Sequence, residues 1–250
     1  MAFDPATLGI QSYCFREFRE IPALIDALKQ VRLPAVEIYP GHVDYRDEPG
    51  KVDAALAQIR DAGIAVSAYG GVALRNDEAD TRRLLEFCRR NGIAYLTVVT
   101  VEEEAIGLLE RLGSEYGVKY CLHNHGRGFQ FCSMADLRAF FARTSKAFGL
   151  CNDTAWFLDA GEDPVAAVDA FADRLYGVHL KDFEFDAAGR PVDVIVGRGG
   201  LDLPGLMARL KAVGFGGYLC LEYEGNPKDP LPEVLECLAA IRAAASETSR

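Results

Sequence analysis

The stretch YCLHNHGRG, Tyr120 to Gly128, sets His123 and His125 one residue apart at the exit of a short apolar run, with Asn124 between them. A single histidine at such a point is most often a satisfied structural residue, but a pair asks for a partner. Later apolar runs end in a similar way. GLCND brings Asp153, LYGVHLKD brings His179 and Lys181, and GYLCLEYE brings Glu222 and Glu224, while the earlier AVEIY carries Glu37. Two imidazoles and two carboxylates, from His123, Asp153, His179 and Glu222, suit one divalent ion of the Mn, Zn, Co or Fe kind. An all-oxygen set would suit Mg or Ca instead. Side chains alternate along a strand, so residues two positions back share a face. Those residues are Cys121, Cys151, Gly177 and Cys220, small enough to form a tight layer beneath the four groups. Each group alone reads more readily as a salt bridge or a polar rim; agreement across four runs favours a metal.

The scaffold that would bring these groups together is a repeated strand-then-helix alternation. LGIQSYC, AVEIY, IAVSAYG, AYLTVVT, VKYCLH, GLCNDT, LYGVHLKD and GYLCLEYE read as strands, each followed by one amphipathic helix. Short, nearly all-apolar strands joined by such helices signal a parallel sheet buried on both faces. Gly63 and Asn91-Gly92 read as helix stops, and Ser133 as an N-cap. Eight units point to a closed α/β barrel, the (β/α)8 TIM barrel, with active groups at the carboxyl ends of the strands. An open doubly wound sheet would more usually show GxGxxG after its first strand, and QSYCFREF has none. No linker or composition break divides the chain, so the expectation is one domain over residues 1–250.

The bulk numbers narrow the partners. A formal net charge of −10 opposes nucleic acid and anionic membrane surfaces, although one cleft can still be basic enough to take a phosphate. No apolar run is long enough to span a bilayer, and MAFDPATLGI lacks the pattern of a signal peptide. A cytoplasmic protein is expected, with homo-oligomer assembly left open. Seven cysteines without a CxxC read as reduced core thiols.

The stretches VEIY, LHNHG, NDTAWFLDAGEDP, GVHLKD and VGRGGLDLPGLMARLKAVGFGGYLCLEYE resemble the xylose-isomerase-like TIM barrels, the sugar phosphate isomerase/epimerase superfamily. The resemblance covers nearly the whole chain. It implies a metal held by Glu, Asp, His and Glu from strands five to eight, positions that match His123, Asp153, His179 and Glu222 here. Two departures stand out. His123 replaces a glutamate, which removes one of a pair of acid/base carboxylates, and Trp156 stands where many members carry a histidine.

The function implied is a metal-dependent isomerase or epimerase of a small sugar or sugar phosphate. A carbonyl and hydroxyl chelated to the ion acidify the neighbouring C–H, and a base then removes that proton. Glu222 is the candidate base, with His125 and Glu37 in reserve and Lys181 placed to stabilise charge on oxygen. Loss of a β-leaving group from the same intermediate would make the protein a lyase, such as a dehydratase of keto-sugars or inososes. Arg198 in VGRGGLD, Trp156 and Asn124 are the substrate-binding candidates. Arg198 and the backbone N–H groups of its loop offer a phosphate site; Tyr13, Tyr69 and Phe157 are further aromatic candidates for a sugar-facing wall. Two other readings are a sugar-binding barrel without turnover and a DNA-repair endonuclease of the same superfamily. The latter needs three zinc ions and more histidines than the four in this chain.

Overall fold

Eight short runs, dense in branched and aromatic residues, pair in parallel in a computed structural model that describes residues 8–247. They are β1 (Leu8–Gln11), β2 (Ala35–Ile38), β3 (Ala65–Leu74), β4 (Tyr95–Val101), β5 (Lys119–His123), β6 (Phe148–Asp153), β7 (Leu175–Leu180) and, after a two-stranded insertion, β10 (Tyr218–Leu221). Each pairs with the next in sequence, and β10 returns to β1, so the sheet closes into a barrel. Closure leaves no sheet edge, so every strand has neighbours on both sides. The expected (β/α)8 TIM barrel is the observed fold.

Helices α1 (Ile21–Val31), α2 (Pro49–Asp61), α3 (Glu78–Arg90), α4 (Ile106–Tyr116), α5 (Met134–Phe141), α7 (Pro164–Ala170), α8 (Leu203–Ala212) and α9 (Leu231–Glu247) run between or after the strands. Their ends follow local chemistry. Ser133 caps α5 in a reciprocal box with Asp136, and Gly63 and Gly92 take positive φ just beyond α2 and α3.

The alternation differs from the expected eight simple units at two places. TAWFLD, which begins on the last residue of the expected strand GLCNDT, forms a further helix, α6 (Thr154–Asp159), because the Asp153 carboxylate accepts from Trp156 N–H at 2.9 Å and caps a new turn. The connection after β7 folds into a hairpin, β8 (Phe183–Phe185) and β9 (Pro191–Asp193). The one-domain expectation extends past the described residues at both ends; residues 1–7, where the leader reading falls, and 248–250 lie outside them.

The barrel interior has a small-residue layer below its mouth. Ala68, Cys121, Cys151 and Cys220 pack around Tyr218, whose hydroxyl lies 2.6 Å from Thr97 Oγ1. Gly177 makes room for that ring: a Cβ there would come within 2.2 Å of it. All seven cysteines are free, and six are buried.

Candidate active site

The strands deliver the site through register. His123 ends β5 beside Cys151, Asp153 ends β6 beside His179 of β7, and Glu222 follows β10 with its N–H bonded to Leu180 O. One ligand atom from each of His123, Asp153, His179 and Glu222 lies within 4.8 Å of the others, and all four residues are buried. His123 Nε2 is 3.3 Å from Asp153 Oδ2 and 3.8 Å from Glu222 Oε2, and His179 Nδ1 is 3.3 Å from Glu222 Oε2.

A second ring of residues fixes the first. Glu37 accepts from His179 Nε2 at 2.7 Å with both groups sealed from water, so Nδ1 is the ring nitrogen turned into the cluster. A carboxylate behind a histidine in this way fixes its tautomer and raises its basicity as a ligand. Asn124 clamps the backbone of Asp153, donating to its C=O and accepting from its N–H, each at 2.8 Å. The Asp153 side chain divides its duties: Oδ1 caps α6, and Oδ2 has no hydrogen-bond partner. His179 Nδ1 is likewise buried without a partner. Buried polar atoms seldom go unpaired. Here two face one point, with the donor types that suit a divalent transition ion.

The electrostatics favour positive charge at that point. Burial alone would lower His123, but Asp153 and Glu222 raise it to about 10. Burial likewise opposes charge on His179, yet the surrounding groups, Glu37 and Glu222 among them, push it well above its usual range. Burial would raise Glu222, whereas His179, Lys181 and His123 hold it well below the ordinary carboxylate range. A cation ligated here would displace those imidazole protons.

Above the cluster opens a cavity of about 430 Å³, walled by Tyr13, Tyr39, His125, Trp156 and Glu224. His125 is sandwiched between Trp156 and Phe129, with ring centroids 4.1 and 3.9 Å away. Its Nδ1 accepts from Gly126 N–H, which leaves the neutral ring's proton on Nε2. Burial and the neighbouring His123 lower its pKa to about 4. Lys181 is buried beside the cavity, bonded to Glu224, 3.9 Å from Glu222 Oε2 and over the Trp156 ring. The carboxylates around it keep it protonated against burial.

Several sequence candidates land elsewhere. Glu37 does not reach the cavity as a base; it stands behind His179. Asn124 is fully buried on the Asp153 backbone rather than turned to a substrate. Arg198 is exposed and paired with Glu236 of α9 at 2.7 Å, away from the cavity. The N–H groups of Gly197, Gly199 and Leu201 in its loop donate to the Asp182 carboxylate, so they do not form a phosphate cradle. Tyr69 packs outward on Phe87, and Phe157 is ordinary core. The fourth histidine, His42, is bonded to Ser12 and Phe15 O. Gln11 and Tyr39 also line the cavity, outside the residues that the sequence singles out. Their position at the ends of β1 and β2 was the available signal, but neither is charged.

A family model described as "Xylose isomerase-like TIM barrel" matches residues 25–241. The chain is 28% identical over 233 residues to the rhizopine catabolism protein MocC of Rhizobium meliloti, covering 82% of this chain and 69% of that protein. It is 29% identical over 167 residues to inosose dehydratase of Geobacillus thermodenitrificans, covering 58% and 56%. A solved structure of L-ribulose 3-epimerase superposes with a TM-score of 0.72 at 18% identity, over 97% of this chain and 95% of that one. Among the described residues no helix is long and apolar enough to cross a membrane.

Proposed function

The chain belongs to the xylose isomerase-like TIM barrel family, and on that footing we propose that it is a single-domain, divalent-metal-dependent enzyme that removes a proton next to a chelated carbonyl of a sugar. The observation that carries this reading is the convergence of His123, Asp153, His179 and Glu222, with two unpartnered buried atoms, at the floor of the cavity. Those four residues would hold the ion, of the Mn, Zn, Co or Fe kind. Such an ion supplies Lewis acidity that makes the C–H beside the carbonyl easier to ionise.

The protein's own groups take the remaining roles. Glu222 lines the cavity and is unprotonated, so its carboxylate is the group assigned to take the proton once the ion has acidified the C–H. Its Oε2 is the oxygen nearest both imidazoles and Lys181, so Oε1 is the oxygen assigned to the substrate. His125 is neutral near pH 7 and offers Nε2–H to a substrate oxygen rather than acting as a base. Lys181, held against the Trp156 ring, stabilises negative charge. Trp156, Tyr13 and Tyr39 give the ring or chain of the sugar flat faces and exclude water.

Return of the proton to another carbon or face gives isomerisation or epimerisation. Loss of a β-hydroxyl gives dehydration, a second reading supported by the inosose dehydratase relative and by the single cavity-lining carboxylate within the metal cluster. Incubation with a panel of ketoses and inososes in deuterated water tests both. Glu222→Gln should slow hydrogen exchange by about 10²–10⁴-fold, with ion content measured on the same sample. Exchange at the parental rate in an ion-loaded variant removes Glu222 as the base. Release of water without an epimer assigns the protein to the lyases.

A further inference from the structure

The glycine loop around Arg198 offers no anion site, but a second cleft on the catalytic face is lined by cationic side chains. It has a volume of about 660 Å³ and lies between the loop after β2, the end of β3 and the first turns of α3. Gly71 of β3 lines both this cleft and the metal cavity, so the two share a wall. Three arginines line it, Arg46, Arg75 and Arg83, in a chain whose formal net charge is −10.

The two acidic residues in the cleft are already engaged. Asp77 caps α3, accepting from Asp80 N–H at 3.0 Å. Asp80 takes two hydrogen bonds from Arg46, at 3.2 and 2.7 Å, and one from the Tyr45 hydroxyl at 2.7 Å. Arg46 is further braced by lying over the Tyr45 ring at 4.3 Å. Arg83 contributes to the field at Asp80 without bonding to it, and Arg75 and Arg83 make no ion pair among the described residues. The cleft therefore has a braced floor and two uncommitted guanidinium groups, the residue type best matched to a phosphate.

We infer that this cleft, lined by Arg75 and Arg83, is a subsite for the phosphate monoester of a substrate whose ketone reaches the His123–His179 centre. The inference rests on the proposed sugar chemistry and narrows its substrate to a phosphorylated one. Gly71 is common to the lining of both spaces and carries no side chain, so a molecule spanning them would have to pass over its backbone.

Calorimetric titration with glycerol 1-phosphate as the probe, and neutral glycerol as its control, tests the subsite in metal-loaded and chelator-stripped protein. Glycerol 1-phosphate should bind both forms and glycerol neither. The double variant R75Q/R83Q should weaken phosphate-ester binding about tenfold or more, through loss of charge-assisted hydrogen bonds, while retaining wild-type ion content and melting temperature. Both residues are exposed, so the variant should fold. The subsite is overturned if the variant binds the probe as wild type does, if wild type fails to bind it, or if binding vanishes with the metal but not with the arginines. The two ideas fail separately. Arginine-dependent binding with no hydrogen exchange on any ketose, inosose or ketose phosphate sinks the sugar chemistry alone; exchange on these compounds with arginine-independent binding sinks the subsite alone.

Discussion

Removing Glu37 tests whether the proposed metal centre depends on a residue outside its four ligand groups. Its Oε2 lies 2.7 Å from His179 Nε2, with the two side chains 0% and 1% exposed, so water cannot replace the lost partner. Without Glu37, the His179 ring loses the acceptor that keeps its proton on Nε2 and its Nδ1 lone pair in the cluster. It also loses a negative charge that strengthens it as a donor. Partners of this kind contribute about 10–100-fold to metal affinity, or roughly 1.4–2.7 kcal/mol. Glu37→Gln keeps an oxygen acceptor but not the charge, and should fall near the lower end. Glu37→Ala removes both and should fall near the upper end. Competition against a chromogenic chelator, using stripped protein reloaded with Mn or Zn, measures the ratio, and melting curves of the stripped proteins control for unfolding. Wild-type affinity in a folded Glu37→Ala variant would show that His179 is oriented by something else and refute the reasoning.

His123→Ala and His179→Ala should each drop ion content well below one per chain, while His125→Ala leaves it intact because His125 Nδ1 is held by Gly126 N–H; full occupancy in either of the first two removes the centre. His123→Glu should retain the ion, since it restores a carboxylate donor at the same strand end. Asn124→Ala strands the buried N–H and C=O of Asp153 and should cost about 2–4 kcal/mol in urea unfolding; a negligible change would mean that water replaces the clamp. Burial raises the Asp193 carboxyl from 3.8 to about 6, so the folded state holds that proton more tightly than the unfolded state. Its effect on stability is therefore absent below about pH 4 and becomes a loss as pH rises through about 6, of at most about 3 kcal/mol and less for a part-buried group. Asp193→Asn should flatten this decline, and matching pH profiles for the two proteins would contradict it.

The amino-acid sequence by itself determined the barrel and the four residues at its centre, for a local reason. Apolar runs alternating with amphipathic helices leave few arrangements other than a closed parallel sheet, and such a sheet presents its strand ends on one face. His123, Asp153, His179 and Glu222 follow from period-two counting above the small residues Cys121, Cys151, Gly177 and Cys220. Helix ends at Ser133 and Gly63 were legible because a cap is settled within a few residues. The second turn of chemistry was not. Glu37 and His179 are 142 residues apart and on strands that are not neighbours, so only closure of the barrel turns one toward the other. Asn124 and Arg198 carry side chains suited to a ligand, but a hydrogen-bonding group binds whichever partner packing brings first. For Asn124 that was the Asp153 backbone, and for Arg198 it was Glu236. Asp182 filled the glycine loop for the same reason, and the uncommitted arginines lie in a cleft that no run of residues spells out. Side-chain type can be read along the chain, but its partner is decided by distance, and distance belongs to the folded barrel.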